Sequence, residues 1–493
     1  MPKITIRNPL GGWAKDNSTT NTSASVQGSQ TQYTKSDSIS LFRPSMYGFI
    51  SPGETFNSLS DPATSKTTAM PLNSLTDSSA VSVTSWAVLR NGRLIKIITD
   101  VVSASYDPAS ATTTDYGDIG TYKSGANEYI IWSYNTSTVG NIARIKIDSS
   151  GQSDTWFSGL SGSGTLTAGV PLIISTGPIS NDIYITNGQY IATADINAGT
   201  GDTQALNLGD GWISKSITRY GNYVAIVGNR VVSSANAGGQ GRLWLWDGFS
   251  PDPNFIYDIN ENIMTAIIND NGVLKMFGNG KSGTTKAFYF TGQKVDILAE
   301  SGQIGSAPTH GSVDIFENKV TWVNSSGEIY TLDGNALHYR TKTGVASSML
   351  KNLASTAIYV GSGSSSPYAI KKLDFTGYVA DADFRTRLLE LPYRSNIKNI
   401  YVYYAQFAST SSVWVSLFKD FTTLSLGGAN DLINTVLNAT NDPTATTLKV
   451  SKIDCLITDV SSFYMNFRFN HTSTTDTAAV IRMIEIEYDV TNK

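Results

Sequence analysis

The feature that most restricts the fold is a phrase written more than once. GRLWLWDG fills residues 241–248 and GEIYTLDG fills residues 327–334; both read glycine, charged, aliphatic, aromatic, any residue, apolar, aspartate, glycine. They belong to a wider series of short apolar strands, each entered through a turn. The series runs NGRLIKI at Gly92, GNIARIKID at Asn141, NGQYIATAD at Gly188, the phrase at Gly241, TTKAFYF at Thr285, the phrase at Gly327 and SPYAIKKLD at Ser366. These seven anchors are separated by 39 to 53 residues, about 46 on average. That period is the period of four-stranded propeller blades and exceeds most solenoid repeats.

A second strand rich in aromatic and β-branched residues precedes most anchors: YIIWSY (129–134), DIYIT (182–186), YVAIVG (223–228), MTAIIN (264–269), KVTWVN (319–324) and AIYVG (357–361). Asn-Gly, Gly-Asn and Ser-Gly pairs join strands in RYGNYVAIVGNR, IINDNGVLKMFG and KVTWVNSSGEIY, where hairpins need residues that tolerate positive φ. One such sheet cannot bury both faces alone, which gives the phrase a reason to recur. The aromatic and aliphatic residues of the phrase then wedge between neighbouring sheets, and its Asp-Gly turns the chain toward the next strand. The reading is an all-β chain with a β-propeller of six or seven blades over residues 81–378. An N-terminal strand completing the last blade would close the circle.

From residue 379 the strands lengthen. RTRLLELPYRSNIKNIYVYYAQF, SSVWVSLFKD, TTLKVSKIDCLITD, SSFYMNFRFNH and AAVIRMIEIEYDV point to a C-terminal β-sandwich over 379–493. In the last of them Ile484, Ile486, Tyr488 and Val490 alternate with Glu485, Glu487 and Asp489, the pattern of a one-sided strand. ANDLINTVLNAT (429–440) puts Leu432, Ile433, Val436 and Leu437 on one helical face behind Asp431 as N-cap, so one short helix is expected there. Residues 1–80 read as an extended arm and linker. The polar run at 15–38 has little apolar content to offset chain entropy, while LFRPSMYGFISPGETF (41–56) is aromatic and turn-rich. An arm that orders against a partner subunit accounts for both.

Composition removes several functions. Charged residues are 15% of the chain and the net charge is −4, with Lys and Arg scattered, so no footprint for gripping phosphate is visible. No apolar run approaches the roughly 20 residues of a membrane span, and the start lacks the pattern of an export signal. The single Cys455 lies in an apolar strand and reads as buried and inert. His310, His338 and His471 are isolated and read as packing or surface residues, since no Cys or His stands near them at metal-ligand spacing.

The motif look-alikes also fail. FGNGKSGTT (277–285) contains Gly-Lys-Ser, but Lys275 stands where a phosphate loop needs its first glycine, and a strand follows instead of a helix. DINEN (258–262) begins like a calcium loop, yet Ile263 and Asn269 replace the required Gly and Glu. SSGQSDTW (149–156) approximates an Asp-box with Gly151 and Ser153 in place of its Asp and Gly. Glycoside hydrolysis needs two carboxylates at a set separation, and the sequence singles out no such pair; Glu485 and Glu487 read as a solvated face. The sequence therefore names no catalytic residue, no cofactor-binding residue and no metal ligand.

The order of parts resembles the tail-hub, nozzle or DNA-stabilisation proteins at the portal vertex of short-tailed bacteriophages. The resemblance is carried by IRNPLGGWAKD, LFRPSMYGFISPGETFNSLSD, the propeller-like middle and the closing IRMIEIEYDV. It implies a non-enzymatic virion structural protein assembled in host cytoplasm as a homo-oligomeric ring, hexameric in many such proteins. It also implies portal, adaptor or other tail proteins as neighbours, and DNA passing through without specific binding. A mildly acidic surface suits such a ring, because each neutralised phosphate adds grip. The competing readings are a carbohydrate- or receptor-binding module, with aromatics such as Trp244 or Trp414 stacking on sugars, and a glycosidase.

Overall fold

The computed structural model describes residues 3–7, 33–37, 39–40, 50–52, 54–59, 72–77, 84–89, 92–106, 117–147, 153–154, 165–180, 182–198, 200–230, 240–260, 262–280, 285–301, 307–334, 336–343, 347–353, 357–362, 369–374, 381–386, 389–405, 411–418, 431–438, 449–471 and 480–491. Among them every regular element is a β-strand except one 3-10 turn, His310–Ser312. No described helix is long and apolar enough to cross a membrane. The polar run at 15–38 lies mostly outside the described residues, as does most of the Asp-box look-alike. Two compact units result: residues 57–327 with 343–372, and residues 1–56 with 328–342 and 373–493.

Seven sheets of four or five strands follow one another along the described chain. Blade 1 runs from Leu72–Asp77 to Val101–Tyr106, blade 2 from Ile119–Ser124 to Ser153–Asp154, and blade 3 from Ile174–Thr176 to Gly201–Asn207. Blade 4 runs from Trp212–Tyr220 to Phe255–Asn260, blade 5 from Asn262–Asp270 to Val295–Ser301, and blade 6 from Val313–Phe316 to Ala336–Lys342. Blade 7 begins with Ser347–Leu353 and takes Thr55–Ser58 as its outermost strand. Leu59 N donates to Ile370 O at 2.8 Å beside that join. The first strand of each sheet neighbours the first strand of the next, and that of blade 7 neighbours that of blade 1. The sheets therefore circle an axis with their first strands innermost. This is a seven-bladed β-propeller closed by a strand from the N-terminal side.

All seven sequence anchors are third strands of blades, and the repeated phrase is explained by strand alternation. In Gln240–Trp246, Trp244 and Trp246 share a buried cluster with Tyr184, Ile191 and Leu206 of blade 3. Leu243 and Leu245 share another with Ile267, Leu274 and Met276 of blade 5. Successive side chains of a strand point to opposite faces, so one strand packs two sheet interfaces at once. Trp212 meets Trp244 edge-on at 5.1 Å between ring centroids, and Tyr184 meets Trp246 likewise at 5.6 Å. Each fully buried side chain of this size contributes roughly 1.5–3 kcal/mol.

The Asp-Gly that ends the phrase has a separate task. Gly248 has φ +89°, a left-handed conformation that a Cβ disfavours, and an added Cβ would fall inside contact distance of the Tyr184 hydroxyl. That hydroxyl is buried on a fixed ring whose pKa burial pushes up to about 12. Gly248→Ala should therefore destabilise the propeller by about 1–2 kcal/mol from backbone conformation alone, with Tyr184 displacement added. Urea denaturation followed by tryptophan fluorescence checks this, and an unchanged midpoint would show that the turn adapts freely.

In the other unit, eight described strands form one hydrogen-bonded sheet. The 23-residue strand Lys449–His471 runs through it, its first part pairing with Leu389–Ala405 and its last part with Asp381–Thr386 and Ser411–Phe418. Inward residues of these strands share one core that includes Phe384, Ile400, Val415, Phe463, Phe467 and Ile486. Cys455 sits in that core, its thiol pushed up to about 11 by burial. Ile484, Ile486 and Tyr488 are buried as the alternation requires, while Val490 at the end of the strand is exposed. The short strand Lys3–Arg7 covers the free edge of Val480–Val490 in antiparallel register. Its Ile4 and Ile6 enter the core, so a charged strand caps an otherwise exposed edge.

The helix expected over 429–440 is a strand instead. Asp431–Asn438 pairs antiparallel with Ser411–Phe418, placing Val436 opposite Trp414 and Leu437 opposite Val413. Ile433, Thr435 and Val436 are β-branched and lose χ1 freedom in a helix. An available partner strand then outweighs an apolar spacing that either period could claim.

Candidate functional site

The innermost strands bring together polar groups that are far apart in sequence. Asp118, immediately before the first strand of blade 2, His310, in the 3-10 turn that opens blade 6, and Ser216, on the first strand of blade 4, meet near the axis. Ser216 Oγ and His310 Nδ1 lie 2.7 Å apart, and His310 Nε2 and Asp118 Oδ2 lie 3.6 Å apart. The order hydroxyl, imidazole, carboxylate is that of a nucleophilic triad, so the arrangement must be tested against that chemistry.

The remaining bonds bear on that chemistry. Asp118 Oδ2 accepts the main-chain N–H of Ile174 at 2.9 Å, and Asp118 N donates to Ser133 Oγ at 2.8 Å. Ser133 in turn donates to Leu172 O at 2.6 Å. Ser216 Oγ accepts the main-chain N–H of Ile267 at 3.2 Å. These contacts link blades 2, 3, 4, 5 and 6. Ser216 is fully buried and Asp118 nearly so, while the His310 side chain keeps 18% of its surface. A nucleophile must reach its substrate with oxyanion donors about 3 Å away. Ser216 meets a main-chain donor on its own oxygen and has no exposed surface.

Burial pushes the His310 imidazole down to about 4; Asp118 opposes the shift and Lys351 adds to it. The ring is therefore neutral near pH 7. The Asp118 carboxylate beside Nε2 favours the tautomer that carries the ring proton there, which leaves Nδ1 to accept from Ser216. Chemically this is a polar hub: one set of hydrogen bonds ties blades 2 and 3, another ties blades 4, 5 and 6, and the 3.6 Å contact of His310 with Asp118 brings the two sets together. Buried polar groups satisfied in this way specify one arrangement of their surroundings.

The other residues singled out in the sequence take different places. His338 is buried on Ala336–Lys342, the outermost strand of blade 6, and the His471 side chain lies outside the described residues. Trp244, a candidate sugar platform, is fully buried and cannot stack on a ligand; Trp414 is partly buried on Ser411–Phe418. The look-alike phosphate loop joins Val273–Gly280 to Thr285–Phe290, two strands of blade 5. The calcium-loop look-alike is likewise strand, in Phe255–Asn260 and Asn262–Asp270. Glu485 and Glu487 do more than meet solvent. Tyr403 donates to Glu485 at 2.9 Å, and Asn399 donates to Glu487 at 2.6 Å, the bond that chiefly lowers the Glu487 pKa. No group of three or more His, Cys, Asp or Glu among the described residues is arranged to hold a metal ion.

No protein-family model and no curated protein matches the sequence. Among solved structures, the chain is similar to the Pan2 WD40 domain of Neurospora crassa at 10% identity, with a TM-score of 0.45 over 65% of this chain and 96% of that one. It is similar to the WD40 β-propeller domain of Doa1 at 12% identity, with a TM-score of 0.42 over 65% and 97%. It is also similar to an exo-β-1,3-galactanase of Phanerochaete chrysosporium at 11% identity, with a TM-score of 0.31 over 88% and 99%. The order of the sheets and their closed inner circle make the chain a seven-bladed β-propeller joined to a second all-β unit.

Proposed function

We propose that this chain is a non-catalytic structural protein whose work is done by its surfaces, assembled with copies of itself as a ring in the tail or neck of a short-tailed bacteriophage. The observation that carries the non-catalytic reading is the axial hub. The acid and hydroxyl that could have made a reaction centre are buried and bonded to main-chain groups of neighbouring blades, and the partly buried imidazole lies against both. A reaction centre needs such groups to face a pocket that a ligand can enter. The virion reading draws on the layout of parts and on the low density of Lys and Arg, which suits a ring that DNA slides through. Portal, adaptor and other tail proteins are its proposed neighbours, and the virion its proposed location.

Light scattering on the purified chain, followed by electron microscopy of the main species, tests this. A closed ring of identical copies is expected. A strictly monomeric species at high concentration, or turnover on model glycosides abolished by replacing one carboxylate, would overturn the reading.

A further inference from the structure

Phe249 follows the repeated phrase and is 74% exposed, the most exposed of the large apolar side chains on the described surface. It stands out because its loop is built to hold it there. Asp247 Oδ1 accepts the N–H groups of Phe249 and Ser250 at 3.1 and 2.8 Å. Its Oδ2 accepts Ser250 Oγ at 2.6 Å and Asn254 Nδ2 at 3.1 Å. Asp247 N donates to Asn254 Oδ1 at 2.7 Å, and Trp246 Nε1 donates to Ser250 O at 2.7 Å. Pro251 and Pro253 restrict the same loop further. A loop with this many bonds does not leave an aromatic ring in water through laxity, and a rigid exposed aromatic is the anchor type of recognition surfaces.

The ring borders a cleft of about 380 Å³ lined also by Ile179, Asn222, Tyr223, Asp247 and Asn254. Ile179 is 38% exposed, and Tyr223 packs edge-on against Phe255, itself 47% exposed. Polar groups alternate with these apolar ones. Asn222 is exposed at a hairpin tip. Asn254 Nδ2 has a second hydrogen beyond the one given to Asp247. Among the described residues the lining carries one charge, the Asp247 carboxylate, whose four hydrogen bonds from Ser250, Asn254 and Phe249 outweigh its partial burial and hold its pKa down to about 2.

We infer that this cleft is a binding site for a neutral saccharide. The flat apolar face of a pyranose has the shape to lie on Phe249, and its hydroxyls match amides that both donate and accept. The ionised Asp247 and the lack of any cation in the lining disfavour anionic ligands such as phosphates or acidic sugars. The mixture of polar and apolar lining disfavours a purely apolar peptide side chain. This site is separate from the axial hub and independent of whether copies form a ring.

Saturation-transfer NMR and calorimetry on the full chain, with a panel of neutral mono- to trisaccharides, test the assignment. At least one sugar should bind. Phe249→Ala should weaken it about tenfold, the size of one lost aromatic contact, whereas Phe249→Trp should retain it. Asn222→Ala should weaken it severalfold. Both substitutions lie on the surface, so an unchanged melting curve separates loss of the site from loss of fold. Affinity should be flat between about pH 4 and 8, since Asp247 stays ionised throughout. Absence of binding across the panel, binding that survives Phe249→Ala, or preference for acidic glycans or an apolar peptide would each overturn the assignment.

Discussion

Replacing Arg340 by methionine should destabilise the unit containing residues 1–56 and 328–342 by about 3–5 kcal/mol, a very large effect for one side chain. Arg340 Nη2 and Glu54 Oε1 are 3.3 Å apart, and both side chains are fully buried. Thr341 Oγ1 donates to the main-chain oxygen of Glu54 at 2.8 Å and ties the Glu54 backbone to the same strand. Removing the guanidinium takes this ion pair away from a fully buried carboxylate, whose charged form burial disfavours. The variant's loss should deepen as pH rises above the ordinary carboxylate range, because the unfolded chain then releases a proton that the folded chain retains. Converting both partners, Glu54→Leu with Arg340→Met, should recover most of the stability, since buried pairs can be replaced by apolar residues at little net cost. Urea titrations of the single and double variants at two pH values decide this. A single variant within about 1 kcal/mol of the parent would mean that the pair is more hydrated than its burial implies.

How far the fold is legible depends on which strand of a blade is read. Second and third strands are buried on both faces and appear as apolar runs: Ile130, Ile131 and Trp132 are all fully buried, as are Leu243 and Trp244. First strands are harder to see because bulges break their alternation. Register shifts lie between Ser214 and Ser216 in blade 4 and between Met264 and Ala266 in blade 5. A bulge flips the face presented after it, so a period-two pattern cannot be followed through. Outermost strands are half exposed, and Phe255 and Ile256 point to opposite faces while both remain exposed, which no burial rule predicts. The strand Asp431–Asn438 carries an apolar spacing that fits a helix as well as a strand, so periodicity alone misassigns it. The axial hub was not legible at all, because 94 sequence positions separate Ser216 from His310 and only the closing of seven sheets brings them together. The Phe249 cleft left one trace in sequence, the crowding of Asp, Pro and Asn in DGFSPDPN after the second tryptophan of the phrase.

The hub gives the propeller a pH dependence that can be worked out in sign. Folded His310 has its pKa pushed down to about 4, against an ordinary value of 6.5. Above the ordinary value both folded and unfolded chains hold the ring neutral, and stability owes nothing to its protonation. Between about 6.5 and 4 the unfolded chain takes up a proton that the folded chain refuses, so stability falls as pH falls through that window. The full loss approaches about 3 kcal/mol, from roughly 1.4 kcal/mol for each pKa unit. Below about 4 the folded ring is itself protonated and would repel Lys351 while still facing Asp118. His310→Asn should remove the slope in this window while retaining a group able to accept from Ser216. Urea denaturation at about pH 7.5, 5.5 and 4.5 provides the comparison, read by the fluorescence of Trp86, Trp132, Trp212, Trp244, Trp246 and Trp322, all buried in the propeller unit. Parallel losses in parent and variant would place the titrating group elsewhere. A parent curve flat over the window would mean that the axis admits enough water to keep His310 near its ordinary value, and with it that the centre of the propeller is open rather than closed by its own hydrogen bonds.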